Sequence, residues 1–327
     1  MSDTLPLPRV HTRPDDEKVA WVRSIPFILL HVAVVLVVVT RFSWSMVALA
    51  AATYFVRMFF ITAGYHRYFA HRTFKTSRLV QFLFAFGAQT SIQKGVLWWA
   101  GHHRHHHRYS DQVEDIHSPV LKGFWWSHVG WILCMKFDAT PFGSIKDFAR
   151  YPELRFLNRF HWLPAVLTGA VLYLGWGFDA FVWGGLVSTV LLWHGTFTIN
   201  SLSHVFGSRR YLTTDTSKNN FVLSLITLGE GWHNNHHYHQ NTVNQGWFFW
   251  ELDVTYLVLR VLAAFRIVWD LRVCPDAVRF AYRHYTPEQQ AQVQVKAKYF
   301  RPRTEPTPAP EPAVGLRPPI TSGARAQ

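Results

Sequence analysis

Long apolar runs separated by polar segments dominate the pattern of this chain. Two runs, at residues 25–40 and 44–63, are interrupted only by Arg41-Phe-Ser, and two more, at 161–177 and 181–200, are joined by a glycine-containing link. Each run has roughly the 17–25 residues of a membrane-spanning helix. The pattern therefore predicts an all-α integral membrane protein with four transmembrane helices in two hairpins.

Shorter apolar segments lie between and after the hairpins. The runs 79–92 and 124–135 are too short to span comfortably, which predicts helices in the membrane interface or buried under the polar regions. Residues 246–272 carry apolar positions at helical spacing among arginines, a pattern typical of a helix on the membrane surface. The polar segments 64–160 and 201–275 are expected to form a helical cap.

The two ends of the chain differ in composition from the rest. Residues 1–22 form a polar leader that we expect to be loosely ordered, and residues 276–300 are expected to be a helical or irregular extension. Prolines crowd residues 301–327, which predicts a disordered tail.

Charge orients this arrangement. The chain has 33 Lys and Arg against 20 Asp and Glu, and its formal charge is +13. The bases concentrate in the leader and in residues 66–160, while the two hairpin tips share only Arg41. Cytoplasmic segments of membrane proteins are enriched in such bases, so both termini and the cap are predicted to be cytoplasmic. Aromatic residues lie in the apolar runs rather than among the bases, which argues against nucleic-acid binding. Arg57, inside the second run, is expected to snorkel toward the interface.

The cysteines exclude several classes of site. Only Cys134 and Cys274 are present, far apart and without a CxxC motif. A disulfide framework, a zinc ribbon and a fused rubredoxin-type electron donor are therefore not indicated. The first apolar run also begins too late for a secretory signal peptide.

Histidines supply the candidate chemistry. Nine of them fall into four clusters, His66/His71, His103/His106/His107, Asn200/His204 and His233/His236/His237. The i, i+3 and i+4 spacings place the later clusters each on one helix face. His66 and His71 lie about 140° apart on an ideal helix, so the helix must end or be distorted there. In the second cluster His102, His105 and His106 satisfy the same spacing, and periodicity alone does not choose between the frames.

The predicted topology puts all four clusters on one side of the membrane. Nine imidazoles exceed the ligands of one zinc ion and suit two metal ions with four or five nitrogens each. Neutral nitrogen ligands favour iron or copper and oxygen activation, and the chain has no HExxH motif of a zinc protease. Isolated histidines are expected to be structural or solvated, namely His11, His31, His128, His161, His194 and His284.

At these motifs the chain closely resembles the membrane fatty acid desaturases, in particular the acyl-CoA Δ9 (stearoyl-CoA) desaturases. The resemblance covers roughly residues 25–275, and the desaturase domain is expected at residues 23–275. The matching motifs are Gly64-Tyr-His-Arg-Tyr-Phe-Ala-His71, His103-Arg-His-His-His107, Asn200-Ser-Leu-Ser-His204 and Gly229-Glu-Gly-Trp-His-Asn-Asn-His-His237. It implies a cytosolic helical cap that holds a di-iron site with nine histidine ligands in the frame of His103. Asn200 would contact one iron through a water.

The resemblance also implies a bent tunnel for the acyl chain. Trp99, Thr196 and Gln93 match tunnel positions, and the closed end falls near Tyr54 and Met58. A bulky Met58 would favour chains of about sixteen carbons. Carboxylates that orient the imidazoles are expected at Asp111, Asp115 and Glu230, and Arg72, Lys75 and Lys94 are candidates for an anionic headgroup.

The implied reaction uses O2 as co-substrate and two external electrons to insert a cis double bond, expected at Δ9, into a saturated chain carried by CoA or another acyl carrier. A separate electron donor is expected, namely a ferredoxin, a cytochrome b5 or a reductase. Two alternatives stay open: a di-iron alkyl or lipid hydroxylase, and, from another class, a metal-binding membrane transporter. Transport would require polar groups inside the spans.

Overall fold

The computed structural model describes residues 14–293, so the start of the leader and the proline-rich tail lie outside the described residues. The fold is mostly helical. The first part of the chain contains α1 Trp21–Ala33, a 3-10 helix Val34–Val39, α2 Trp44–Phe59, a π-helix Phe60–Ala70, strand β1 Lys75–Thr76, α3 Arg78–Gln89, α4 Val96–Tyr109, α5 Pro119–Lys122, a π-helical turn Trp126–Gly130, α6 Trp131–Leu133, α7 Lys146–Ala149 and α8 Pro152–Arg159.

The second part continues with α9 Leu163–Ala180, a π-helical segment Phe181–Val187, α10 Ser188–Leu202, α11 Phe221–Ile226, α12 His233–Tyr238, α13 Val254–Ala264, β2 Val268–Trp269, α14 Asp276–Arg279 and α15 Pro287–Val293. Short 3-10 helices lie at Asp15–Glu17, Phe142–Ser144 and Ala281–His284.

Three helical stretches of the described chain are long and apolar enough to cross a membrane, Trp21–Val39, Trp44–Ala70 and Leu163–Leu202. Their outward side chains are apolar: Val22, Val38 and Leu174 are each at least 75% exposed. Such exposure would be costly in water but is expected of a surface that faces lipid.

The third stretch is not one straight helix. Gly177 adopts φ 85° and ψ −174°, which interrupts the helix. A Cβ built on Gly169 would lie 3.2 Å from the ring of Phe181, and the rings of Tyr173 and Phe181 are 6.3 Å apart. In a straight helix, residues 169 and 181 would be separated by about 18 Å. The chain therefore reverses at Gly177.

Arg57 does not snorkel as expected. Its side chain is buried and is held between helices, where its guanidinium donates to the hydroxyls of Thr189 and Ser188 at 2.5 Å and to the carbonyl oxygen of Gly184 at 3.2 Å. These acceptors satisfy the charge from the facing helix, so the residue ties α2 to α10 instead of reaching the interface.

The cap forms around the histidine-bearing helices. Its main apolar cluster packs the π-helix Phe60–Ala70 against α3 and α4, with Phe69, Phe84 and Leu97 fully or almost fully buried. α3 begins at the cap residue Ser77, whose Oγ accepts from the amide of Val80, and it buries one face only. This half-buried helix agrees with the expectation for residues 79–92.

The predicted surface helix over residues 246–272 is shorter in the structure. It is helical only as α13, and Asp253 caps its start by accepting from the amide of Tyr256 at 3.0 Å. Upstream, the amides of Gln245 and Trp247 donate to the carboxylates of Asp253 and Glu251 rather than to helical carbonyls. Downstream, β2 pairs with β1 in an antiparallel ribbon, an element that the all-α expectation did not include.

The described part of the leader is also more ordered than expected. The buried carboxylate of Glu17 accepts hydrogen bonds of 2.6 Å from both Lys122 and Lys136. The amide of Ala20 donates to the carbonyl oxygen of Leu133 at 2.8 Å. Residues 14–20 are thus fastened to the cap beside α6.

Candidate metal centre

A distorted helix brings the first two histidines together. The segment Phe60–Ala70 is π-helical, and the amide of His71 donates to the carbonyl oxygen of His66 at 3.2 Å. A π-helix repeats its bonds at i and i+5, so residues five apart approach the same face. The ring centroids of His66 and His71 are 4.8 Å apart. Both alternatives anticipated from the spacing occur here, because the helix is distorted and His71 lies just past its end.

The helix α4 resolves the frame of the second cluster. His103 and His107 face His71, and the Nε2 atoms of His71 and His103 are 3.0 Å apart. His102 turns away, where its Nδ1 contacts the carbonyl oxygen of Trp98 at 2.9 Å. His105 likewise contacts the carbonyl oxygen of Glu114. The histidines of α4 that lie among the other clustered histidines are therefore His103, His106 and His107, and not His102 or His105.

Two groups of histidines converge inside the cap. One contains His66, His71, His103, His107 and His236, and the other contains His106, His204, His233 and His237; within each group all ligand atoms lie within 4.8 Å of one another. Each HxxHH motif contributes to both groups. We call them the five-histidine group and the four-histidine group.

The nitrogen positions fit a bound cation. The Nε2 of His236 lies 3.0 Å from that of His66 and 3.0 Å from that of His107, and the Nε2 atoms of His204 and His233 are 3.2 Å apart. Two nitrogens bonded at about 2.1 Å and at right angles around one metal ion would lie about 3.0 Å apart. The spacing is that of neighbouring ligands of one ion.

Unpartnered nitrogens support the same conclusion. Asp115 holds the Nδ1 of His106 at 2.9 Å, and Asp215 holds the Nδ1 of His237 at 2.5 Å. The Nε2 atoms of both rings are buried and have no hydrogen-bond partner among the described residues. A carboxylate on Nδ1 fixes the proton there and leaves Nε2 free to bind a metal.

Four carboxylates orient the rings. The three anticipated ones lie against histidines: Asp115 on His106 as described, Asp111 on the Nδ1 of His204 at 3.0 Å, and Glu230 on the Nδ1 of His66. Sequence reasoning missed Asp215, the fourth. It lies in an irregular loop between two motifs, where no periodicity marks it.

A buried network supports Glu230 from behind. Arg67 donates to Glu230 at 3.0 Å and pairs with Asp253 at 2.9 Å. The side-chain Nε2 of Gln245 donates to Glu230 at 2.8 Å and also lies 3.3 Å from the Nδ1 of His66. Arg67, Gln245 and Asp253 were not anticipated. They fix the carboxylate that in turn fixes His66.

Burial and neighbouring charges keep three ligands of the five-histidine group in their metal-binding form. Burial lowers the pKa of His103, His107 and His236 well below the usual value, and the neighbouring histidines lower it further. Although burial alone would raise the pKa of Glu230, its contacts with His66 and Arg67 lower it to about 2. Neutral imidazoles supported by ionised carboxylates are the forms that metal binding requires.

His204 shows the effect of its carboxylate most strongly. Burial would lower its pKa, but Asp111 raises it to about 9. A metal ion at this position would replace the proton on Nε2, while Asp111 keeps the proton on Nδ1.

Three of the anticipated tunnel residues, Gln93, Trp99 and Thr196, line an apolar cavity of about 250 Å³ together with Asn200. Trp99 stacks on His103 with ring centroids 4.9 Å apart, and Gln93 donates to the hydroxyl of Thr196 at 2.8 Å. The structure shows no direct hydrogen bond from the Asn200 side chain among the described residues.

Tyr54 and Met58 do not border this cavity in the described structure. They pack around Gly195, next to Thr196, where a Cβ would meet the Tyr54 hydroxyl and would lie 3.4 Å from the Cε of Met58. Met58 is fully buried. Both residues therefore lie just beyond the cavity wall.

Of the three bases considered for a headgroup, Lys94 lines the cavity and pairs with Asp138 at 2.8 Å. Arg72 instead lies 3.6 Å from Asp147, and Lys75 lies 2.9 Å from Asp270. Neither of these two borders the cavity in the described residues, which corrects that expectation.

Comparison with known proteins adds a second line of evidence. The family profile described as "Fatty acid desaturase" matches residues 42–253. The chain is 34% identical over 284 residues to the acyl-CoA C20 Delta5-desaturase of Anemone leveillei, covering 83% of this chain and 90% of the relative. It is 33% identical over 263 residues to the sn-1 stearoyl-lipid 9-desaturase of Anabaena variabilis, covering 78% and 95%. It is 34% identical over 242 residues to the Delta-9 acyl-lipid desaturase 1 of Arabidopsis thaliana, covering 73% and 79%.

Proposed function

Because the chain belongs to the fatty acid desaturase family, we propose that it inserts a cis double bond at Δ9 into a saturated acyl chain, using two iron ions held by the nine histidines. The observation that carries the proposal is the convergence of the five-histidine and four-histidine groups beside an apolar cavity whose lining residue Trp99 stacks on His103. Desaturase relatives include both acyl-CoA and acyl-lipid enzymes and both Δ5 and Δ9 positions. We propose acyl-CoA as the carrier.

The reaction balances with two electrons from outside. The acyl chain loses two hydrogens from neighbouring carbons, O2 accepts two electrons from the chain and two from the donor, and two protons from solvent complete two waters. Bound iron would supply O2 activation, since unactivated C–H bonds are beyond the reach of any side-chain acid or base. Fe²⁺ is well suited to imidazole ligands.

The chain's own residues would position the substrate. The apolar walls exclude water and confine an acyl chain, and the hydrogen bond from Gln93 to Thr196 fixes part of the wall. Trp99 lies between the cavity and His103, so it would set how closely the reacting carbons approach the histidines. Position along the cavity, rather than chemical reactivity, would then select the bond.

The decisive experiment is expression in a desaturase-deficient host, with gas chromatography and mass spectrometry of fatty acids after derivatisation of the double bond. We expect a monounsaturated product with the bond at Δ9. The His236→Ala variant should give none, whereas the matched control His284→Ala, at an exposed histidine outside both groups, should be active. A hydroxylated product, or no change in lipids, would overturn the proposal.

Two further parts of the proposal have their own tests. Purified protein given palmitoyl-CoA or the corresponding phospholipid identifies the carrier, and product from phospholipid alone would exclude acyl-CoA. We also propose that Met58 limits the chain to about sixteen carbons, because it packs at Gly195, the residue before the cavity-lining Thr196. Met58→Ala should then shift products toward longer chains, and an unchanged distribution in an iron-loaded variant would refute this part.

We propose four transmembrane spans, with both termini and the cap in the cytoplasm. The reversal at Gly177 supports the count, and the two hairpin tips meet, since the indole of Trp183 donates to the hydroxyl of Thr40 at 3.0 Å. Single cysteines at Asp179 and Asp276, in a background without the native cysteines, test the orientation. An impermeant maleimide should label the first in intact cells and the second only after lysis. The opposite pattern would reverse the topology.

A further inference from the structure

A second opening reaches the five-histidine group from the surface of the cap. This open depression of about 410 Å³ is lined by Ala70, His71, Arg104, His107, Arg108, Gln240 and Asn241. The two histidines both belong to the five-histidine group. It shares no lining residue with the acyl cavity. We call it the histidine depression.

The depression and the apolar cavity lined by Trp99 are connected to the five-histidine group through different residues. Trp99, in the cavity wall, stacks on His103, whereas His71 and His107 border the depression. Substrate and a second partner could therefore contact the site at the same time. The four-histidine group contributes no residue to the depression.

The rim of the depression is basic. Arg108 is exposed and makes no hydrogen bond or ion pair within the described residues. Arg72 is also exposed and lies 3.6 Å from Asp147. Lys146, the first residue of α7, and Arg150, the residue after its end, lie on either side of that aspartate in the sequence, and both are exposed. Asp147 compensates only part of this positive charge, so the electrostatic potential at the rim is positive and complementary to an acidic partner.

Arg104 makes the base of the depression rigid. It pairs with Asp147 at 2.9 Å and donates to the carbonyl oxygens of Phe69 and Ala70 at 2.7 and 2.9 Å. These are the two residues that precede His71. A partner bound here would contact His71 at a position where the preceding backbone is held by hydrogen bonds from Arg104.

We propose that the histidine depression is the docking surface for an acidic one-electron carrier protein, which delivers electrons where His71 and His107 line the depression. This inference rests on the proposed function, because an O2-dependent desaturation needs two electrons per turnover. It adds the surface, the entry group and the charge of the partner. Since the contact is largely electrostatic, its affinity should fall as ionic strength rises.

The test uses the iron-loaded protein in lipid nanodiscs and a soluble acidic [2Fe–2S] ferredoxin as the probe. Arg108→Glu reverses the free charge on the rim, and Gln240→Glu adds a negative charge on the opposite lining without removing any contact. Arg155→Glu, at an exposed arginine on α8 outside the depression, is the matched control. Ferredoxin affinity is measured by thermophoresis at low and high salt, and iron content is measured for each variant.

We expect each rim variant to weaken ferredoxin binding by about tenfold at low salt, less at high salt, with iron content retained. The KM for ferredoxin in turnover should rise by a similar factor, while turnover driven by dithionite with a small mediator stays unchanged. Arg155→Glu should match the unaltered protein. If Arg108→Glu also loses iron, Gln240→Glu decides.

Other outcomes separate the two proposals. Binding and KM unchanged in Gln240→Glu, or weakened equally by Arg155→Glu, would overturn the docking surface while desaturation stands. Absence of product with either ferredoxin or dithionite, from protein with full iron, would overturn the proposed function. The affinities of the rim variants would still report on docking in that case.

Discussion

Replacing Asp215 by asparagine tests the metal centre at the residue that sequence reasoning missed. Its Oδ2 accepts from the Nδ1 of His237 at 2.5 Å, while its Oδ1 accepts from the amide and hydroxyl of Ser217 at 3.0 and 2.6 Å. Asparagine keeps the size and one acceptor. It removes the negative charge. Because Ser217 holds the oxygen Oδ1, the new NH2 group would face the Nδ1 of His237, and two hydrogen-bond donors would then point at each other.

The expected magnitude follows from the geometry. A buried hydrogen bond to a charged group contributes about 1.5–3 kcal/mol, which corresponds to about 10- to 100-fold in an equilibrium constant. Loss of a carboxylate behind a metal-bound histidine typically lowers metal affinity by about the same factor. We therefore expect Asp215→Asn to bind iron about 10- to 100-fold more weakly.

The assay is iron affinity by competition with a chelator, together with iron per protein by mass spectrometry. Thermal unfolding of the metal-free protein separates a metal effect from loss of the fold. Asp276→Asn is the control, because that carboxylate is 79% exposed and lies 3.6 Å from Arg279 within one helix. Unchanged iron affinity in a folded Asp215→Asn protein would refute the assignment of the four-histidine group as a metal site.

Three other changes test separate parts of the structure. His103→Ala should lower bound iron to about half, whereas His102→Ala should retain it, because only the first ring faces the five-histidine group; equal losses at matched folding would reject the chosen frame. Arg57→Leu should lower the melting temperature by several degrees without changing iron affinity, since it leaves buried hydroxyls without their donor; an unchanged melting curve would contradict the tie between helices. Although burial would raise the pKa of Glu17, Lys122 and Lys136 lower it overall. The ionised Glu17 therefore stabilises the fold fully above the ordinary glutamate pKa, and this stabilisation is lost as the pH falls through the lowered pKa of the folded state. Melting curves of Glu17→Gln should therefore lie below those of the unaltered protein at pH 6 and converge with them in acid; parallel curves would exclude this role.

The spacing of the histidines predicted most of the metal centre. The apolar pattern was a poorer guide to the fold. An HxxHH motif fixes ring directions within one helix, so α4 and α12 could be anticipated from the sequence. How each motif divides between two groups depends on the crossing of those helices, which no local spacing encodes. The π-helix was anticipated only as some distortion, because an i, i+5 pair cannot share a face of an ideal α-helix.

What could not be predicted consists of hydrogen bonds that involve charged side chains. Arg57 looked like a snorkelling base because its partners, Ser188 and Thr189, lie more than 130 residues away on a facing helix. Residues 246–253 looked helical because their apolar spacing is helical, but two carboxylates compete for their amides. In both cases hydrogen bonds that involve side chains outweigh the local apolar pattern.

The arrangement of openings gives the two histidine groups different surroundings. In the five-histidine group, His103 contacts the cavity-lining Trp99, and His71 and His107 line the histidine depression. In the four-histidine group, three carboxylates hold the Nδ1 atoms of His106, His204 and His237. Among the described residues, the five-histidine group has one such carboxylate, Glu230 on His66. The group with more carboxylates behind its histidines should stabilise a bound cation more strongly. Metal at the four-histidine group should therefore be held more tightly, and stepwise chelation should release two populations, the first from the group that reaches the surface.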